Sequence, residues 1–286
     1  MLTDLSRPFL ARSAARCLTA CALAAGVLAA APAARAQPNA QDDISQMTLL
    51  PGWITERGTR MAGVRITLAP GWKTYWRAPQ GIGIPPQFDW AGSQNVARAQ
   101  VHFPAPEVLD SFGQLSLAYS DEVVFPVELT LQDPAKPVRL ALSLSYGVCA
   151  EVCVPALSGA ALAIPPEATG GGAAIRAAWN TRPVAAAAAG FTGAGCTIRP
   201  AGDGYALSAR LAHRGTPATP RMVVFEPAAD DIWITTDRAS AAPGELRIDA
   251  TIDYFGEGAF ALDRGALRMT LIGDGRTVEL TGCPAP

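Results

Sequence analysis

Histidine is scarce in this chain of 286 residues: there are two, His102 and His213, one in each half. Neither has an Asp or Glu at metal-ligand or triad spacing. A zinc site and a Ser-His-Asp triad are therefore excluded, and each histidine is read as a surface or satisfied core residue. Met47, Met61, Met222 and Met269 are scattered and form no thioether cluster. Past residue 36, no apolar run approaches the roughly 18 residues needed to span a bilayer. Charge of either sign is also missing in excess. The 23 Lys and Arg and the 25 Asp and Glu are interspersed, for a net charge of −2. That gives neither a nucleic-acid groove nor a basic membrane patch. Nor does a thioredoxin-type Cys-x-x-Cys occur past residue 36.

The N-terminus carries an export signature. Arg7, Arg12 and Arg16 form a basic region, residues 17–31 are small and apolar, and Ala34-Arg35-Ala36 fits a small-residue cleavage site. Residues 1–36 are thus read as a signal peptide. A lipoprotein signal at Leu18-Thr19-Ala20-Cys21 is set aside, because Arg12 and Arg16 leave almost no apolar run before Cys21. The expected product is a soluble periplasmic protein that does not span the membrane. Disulfides persist in that compartment.

The 24 prolines and 27 glycines fall among short alternating runs, which points to an all-β chain with many turns. Strands are expected at 61–68, 96–103, 123–131, 138–146 and 154–164. A second set is expected at 204–211, 221–225, 231–235, 245–254, 266–271 and 277–280. Two immunoglobulin-like sandwiches follow, over 37–165 and 196–286. A Gly/Ala-rich linker at 166–195 joins them, with a short helix at 173–180.

The most informative stretch is Tyr146-Gly-Val-Cys149-Ala-Glu-Val-Cys153-Val-Pro155. Val138, Leu140, Leu142, Leu144 and Tyr146 alternate with polar or small residues, the period of a half-buried strand. A reversal at Ala150-Glu151-Val152 puts the two cysteines on either side of a three-residue hairpin loop. Narrow antiparallel pairs have Cα atoms about 4.5 Å apart, inside the roughly 4.4–6.8 Å that a disulfide tolerates. The pair can then be joined or opened with little backbone movement. On spacing alone, such an exported pair is more often a structural staple.

Four segments in order alter that balance. They are Gly71-Trp72-Lys73-Thr74-Tyr75-Trp76-Arg77, Phe112-Gly113, Tyr119-Ser-Asp121-Glu-Val-Val-Phe-Pro126 and the Cys149/Cys153 run. Together they resemble the N-terminal periplasmic domain family of the thiol:disulfide interchange protein DsbD, in the two-domain form seen in ScsB. The resemblance covers roughly residues 42–165. It implies a redox relay with no metal or organic cofactor. Cys153 would form the mixed disulfide with a partner and Cys149 would resolve it. Asp110-Ser111-Phe112-Gly113 would be a cap loop with Phe112 at its tip, and Tyr75 would flank the site. Full-length DsbD also has a membrane domain and a thioredoxin-like domain, and neither is read here. Electrons would arrive in trans, from a membrane thiol-electron transporter or a thioredoxin-like donor. They would pass to periplasmic thioredoxin-fold acceptors, a protein-disulfide reductase role. Glu151 would disfavour a nearby thiolate, and no Lys or His within the motif offsets it.

Competing readings stand beside these. Phe112 could be a core plug, and at least one of Tyr75 and Trp76 is assigned to the core. Cys196 and Cys283 are read as a structural disulfide closing the second unit. A copper-handling role is the first alternative function, since thiolates suit Cu(I). A non-catalytic binding module with Cys149–Cys153 as a staple is the second.

Overall fold

The computed structural model describes residues 41, 43–80, 83–111, 113–168 and 172–286. The expected signal peptide and Phe112 lie outside the described residues. The first sandwich comprises β1 (Ser45–Ile54), β2 (Arg60–Leu68), β3 (Lys73–Tyr75), β4 (Gln87–Asp89), β5 (Val96–Val101), β6 (Glu107–Ser111), β7 (Gln114–Ser120), β8 (Glu122–Leu131), β9 (Val138–Cys149) and β10 (Cys153–Ile164). One sheet has the order β1-β2-β8-β5 and the other β10-β9-β3-β7-β6, with β4 also on β9. Alternation explains the packing. Val138, Leu140, Leu142, Leu144 and Tyr146 point inward from β9, and Val64, Ile66, Phe125, Val127 and Leu129 meet them from the facing sheet. Phe88, Phe103 and Tyr119 all approach Phe125 edge-on, with centroids 5.2–5.6 Å apart. That geometry suits the ring quadrupoles.

The segment expected as a linker holds packed structure. The helix α1 (Ala173–Asn180) lays the fully buried Ile175 against Met61 and Val124 of the first sandwich. Burying such a side chain is worth roughly 2 kcal/mol. Then β11 (Val184–Ala185) already joins a sheet of the second sandwich. That sandwich continues with β12 (Phe191–Ala201), β13 (Gly204–His213), β14 (Met222–Glu226), β15 (Ile232–Ala242), β16 (Glu245–Tyr254), β17 (Arg268–Ile272) and β18 (Thr277–Thr281). Its sheets run β11-β18-β17-β14 and β12-β13-β16-β15. Among the described residues the fold is all-β apart from α1 and a 3-10 turn at Ala186–Ala189, with two immunoglobulin-like sandwiches.

The two sandwiches share one compact unit spanning Asn39–Pro286. Met222, Val224 and Ile272 of the second reach into the core of the first. Arg77, two residues past β3's Tyr75, crosses to the second sandwich. Its guanidinium pairs with both oxygens of Glu226 at 2.8 and 2.9 Å and with Glu279 at 2.5 Å. It also stacks over Trp76, 4.0 Å from the ring centroid.

Candidate functional site: a cysteine pair at a hairpin end

The hairpin of β9 and β10 stays in register to its last pair, Cys149 opposite Cys153. Residues 150–152 close it, and the Ala150 N–H donates to the Val152 carbonyl at 3.1 Å. The cysteines form a disulfide with Cα atoms 4.1 Å apart, slightly closer than the sequence argument expected. The two sulfurs differ in setting. Cys149 is 1 % exposed and packs on Tyr75, Ala118 and Leu109. Cys153 lies on the exposed side, beside Val152, which is 65 % exposed.

Strand β3 supports the buried side. Lys73 pairs with Cys149 and Thr74 with Val148, and the Thr74 hydroxyl donates to the Gly147 carbonyl at 2.9 Å. Tyr75 is buried, but its hydroxyl lies 3.4 Å from Cys153 Sγ. Burial pushes the Tyr75 phenol above its usual range, so it remains protonated and can donate to sulfur. Gly83 makes room for this ring: a Cβ there would sit 2.7 Å from Tyr75 Cδ1. Trp76 turns the other way, into the sandwich core.

The expected cap maps to the hairpin of β6 and β7, at the edge of the same sheet. Asp110 accepts from the Gly113 N–H at 2.8 Å, which ties the turn. Gly113 has φ 81°, which a residue with a Cβ adopts only with strain. Leu109 and Ala118 touch the Cys149 cluster. Sequence reasoning passed over both, since nothing marks an Ala or a Leu in a strand as a neighbour of sulfur.

The second pair also forms a disulfide, between Cys196 and Cys283, with Cα atoms 5.3 Å apart and both residues fully buried. His213 is satisfied on both ring nitrogens, by the Ala189 carbonyl and the Gly215 N–H. His102 stacks edge-on with Trp179 and lies 3.6 Å from Glu128. Burial, with Arg182 nearby, holds His102 below its usual pKa. Among the described residues, no group of three or more His, Cys, Asp or Glu could hold a metal ion. No described helix is long and apolar enough to cross a membrane.

A disulfide with one buried and one exposed sulfur at a hairpin end is an arrangement that thiol–disulfide exchange can use. Residues 42–162, which cover nearly all of the first sandwich, match the family described as thiol:disulfide interchange protein DsbD, N-terminal. Among solved structures, the chain is similar to the N-terminal periplasmic domain of ScsB from Proteus mirabilis. The two share 21 % identity and a TM-score of 0.63, over 87 % of this chain and 96 % of that one. The N-terminal domain of Neisseria meningitidis DsbD in the reduced form aligns at 18 % identity and a TM-score of 0.26, over 41 % of this chain and 82 % of that one. No curated protein matches the chain.

Proposed function

We propose that the protein relays electrons in the periplasm through Cys149 and Cys153 to oxidised partner proteins. The observation that supports this most is the asymmetry of the pair: a buried Cys149 and an exposed Cys153 bridged at the open end of a hairpin. The reduced form starts as a dithiol. The Cys153 thiolate attacks one sulfur of a partner disulfide, forms a mixed disulfide and releases the partner's other sulfur as a thiolate. Cys149, deprotonated, then attacks Cys153 Sγ and displaces the partner's remaining thiolate. Two electrons leave the protein, the partner is reduced to a dithiol, and the Cys149–Cys153 disulfide returns.

Each residue's place suits a role in these steps. Cys153 is the sulfur a partner can reach, and Cys149 waits behind it at bonding distance. Tyr75 donates a hydrogen bond to Cys153 and offsets the unfavourable field of Glu151. The hairpin of β6 and β7 carries the cap, with Leu109 against Cys149; the family resemblance gives Phe112 the part of its tip. Cys196 and Cys283 hold the second sandwich together and take no part in exchange.

Re-reduction requires a donor in trans, either a membrane thiol-electron transporter or a thioredoxin-like protein, because exchange demands contact between sulfurs. The in-cell test is alkylation of free thiols after acid quenching. In cells lacking such donors, Cys149 and Cys153 should accumulate oxidised. A pair that stays reduced in every donor mutant would overturn the relay or its direction.

A further inference from the structure

The exchange chemistry leaves one face of the second sandwich without a role. On the paired strands β15 and β16, Trp233 stands opposite Asp253. The Phe255 N–H donates to the Asp231 carbonyl at 2.9 Å and continues the ladder. By the alternation of a pleated strand, Asp231, Trp233, Asp253 and Phe255 share the outer face. Ile232, Ile234 and Ile252 turn inward to the core. Trp233 is 48 % exposed and Phe255 is 76 % exposed. They are diagonal neighbours, so they form one patch rather than two isolated side chains.

The patch is acidic and its charges are free. Within the described residues, the carboxylates of Asp230, Asp231, Asp253 and Glu257 take part in no hydrogen bond or ion pair. Arginines of this sheet lie further off, among them Arg199 on β12, the opposite edge strand, and Arg238 on β15 opposite Asp249, four residues along β16 from Asp253. Arg77 is the nearby cation on the other side, and Glu226 and Glu279 neutralise it.

The patch also leads towards the disulfide. Trp233 and Asp230 line a cleft of about 490 Å³ between the sandwiches, and Pro79, Gly83 and Pro85 line its other wall. Gly83 lies against the ring of Tyr75, whose hydroxyl is 3.4 Å from Cys153 Sγ. The wall of the cleft thus adjoins Tyr75, the residue that contacts Cys153.

We propose that this cleft and the Trp233/Phe255 face dock a segment of the exchange partner that carries Lys or Arg beside apolar side chains. The inference rests on the exchange reading and assigns the second sandwich a part in it. Charge decides the occupant. Unpaired carboxylates around an exposed indole attract a cation, and the indole face accepts it by a cation–π contact. An acidic segment is repelled by the same groups.

The test uses two twelve-residue peptides, each with one cysteine near one end joined in a disulfide to thionitrobenzoate. One carries a Lys/Phe block at the far end and the other a Glu/Phe block. An extended chain of this length reaches roughly 40 Å. Attack by Cys153 on the peptide sulfur releases coloured thionitrobenzoate, and Cys149 then displaces the peptide thiol. The Lys/Phe peptide should react about tenfold faster than the Glu/Phe peptide at low salt, and the ratio should shrink in high salt. In a Trp233→Ala, Asp230→Asn, Asp253→Asn variant the ratio should fall to about two or less, with the rate towards the small disulfide DTNB unchanged. Equal rates for both peptides with the unaltered protein, or a ratio that survives in the variant, would overturn the docking. No reaction with DTNB would instead overturn the exchange reading. Anisotropy binding of the same peptides with Ser in place of Cys would then still read the docking. A dimer in sedimentation that the variant dissociates would reassign the face to a second copy of the chain and refute the proposal.

Discussion

Replacing Tyr75 by Phe removes one oxygen and keeps the ring that packs on Ala118 and Cys149. The lost contact is the hydroxyl 3.4 Å from Cys153 Sγ. Hydrogen bonds to charged groups are worth about 1.5–3 kcal/mol. Cys153 is exposed, and water competes for its thiolate, so about 1 kcal/mol is the reasonable magnitude here. At about 1.36 kcal/mol per pKa unit, Tyr75→Phe should raise the Cys153 thiol pKa by about 0.7. The sign follows from the donor: a phenol kept protonated by burial stabilises the thiolate and not the thiol, so its loss favours the thiol. Below that pKa the thiolate fraction falls about fivefold, and the attack on partner disulfides slows with it. The assay is the pH dependence of iodoacetamide alkylation in a Cys149→Ala background, with and without Tyr75→Phe. An unchanged Cys153 pKa would refute the claim that Tyr75 tunes the sulfur.

Three further outcomes are expected. Cys196→Ala with Cys283→Ala opens a loop of 87 residues' separation, for which the chain-entropy model gives about 4–5 kcal/mol; urea unfolding should show that loss, with exchange rates unaltered. Phe112→Ala, at the position to which the family resemblance gives the cap's tip, should raise the reactivity of the reduced pair towards small oxidants and alkylating agents, and an unchanged alkylation rate would count against the cap. Arg77→Met leaves Glu226 and Glu279 only the more distant and more exposed Arg268, at 3.7 and 4.0 Å, and should cost about 2 kcal/mol, below the figure for fully buried pairs because Arg77, Glu226 and Glu279 are all partly exposed. Hydrogen exchange should report that loss first at the junction of the sandwiches.

The β9–β10 hairpin was legible because five alternating apolar residues end at a cysteine, and the loop length then dictates the opposite partner. The helix at 173–180 was legible too, since Ile175 and Ala178 lie three apart on one face. Strand β1 was not, because Pro51-Gly52 interrupts it and few of its residues are buried. Strand β7 was hidden for a different reason: Ser116, Leu117, Ala118 and Tyr119 are all buried, so no alternation shows. Strand β12 lies in Gly/Ala-rich sequence, where side chains carry little pattern. At the site, both cysteines could be named from the chain, and Tyr75 only through the family resemblance. The Tyr75 contact with Cys153 and the Arg77 bridge could not, since both depend on sheet pairings or packing between residues 78 to 202 positions apart.

The division of labour between the two sulfurs is the central claim, and a trapping experiment tests it most directly. Reduced Cys149→Ser and Cys153→Ser variants would each be mixed with an oxidised thioredoxin-fold acceptor and followed on non-reducing gels. The account predicts that Cys149→Ser accumulates a stable mixed disulfide through Cys153, while Cys153→Ser, with its remaining sulfur buried, forms little or none. Equal trapping by both variants, or trapping by Cys149 alone, would contradict it.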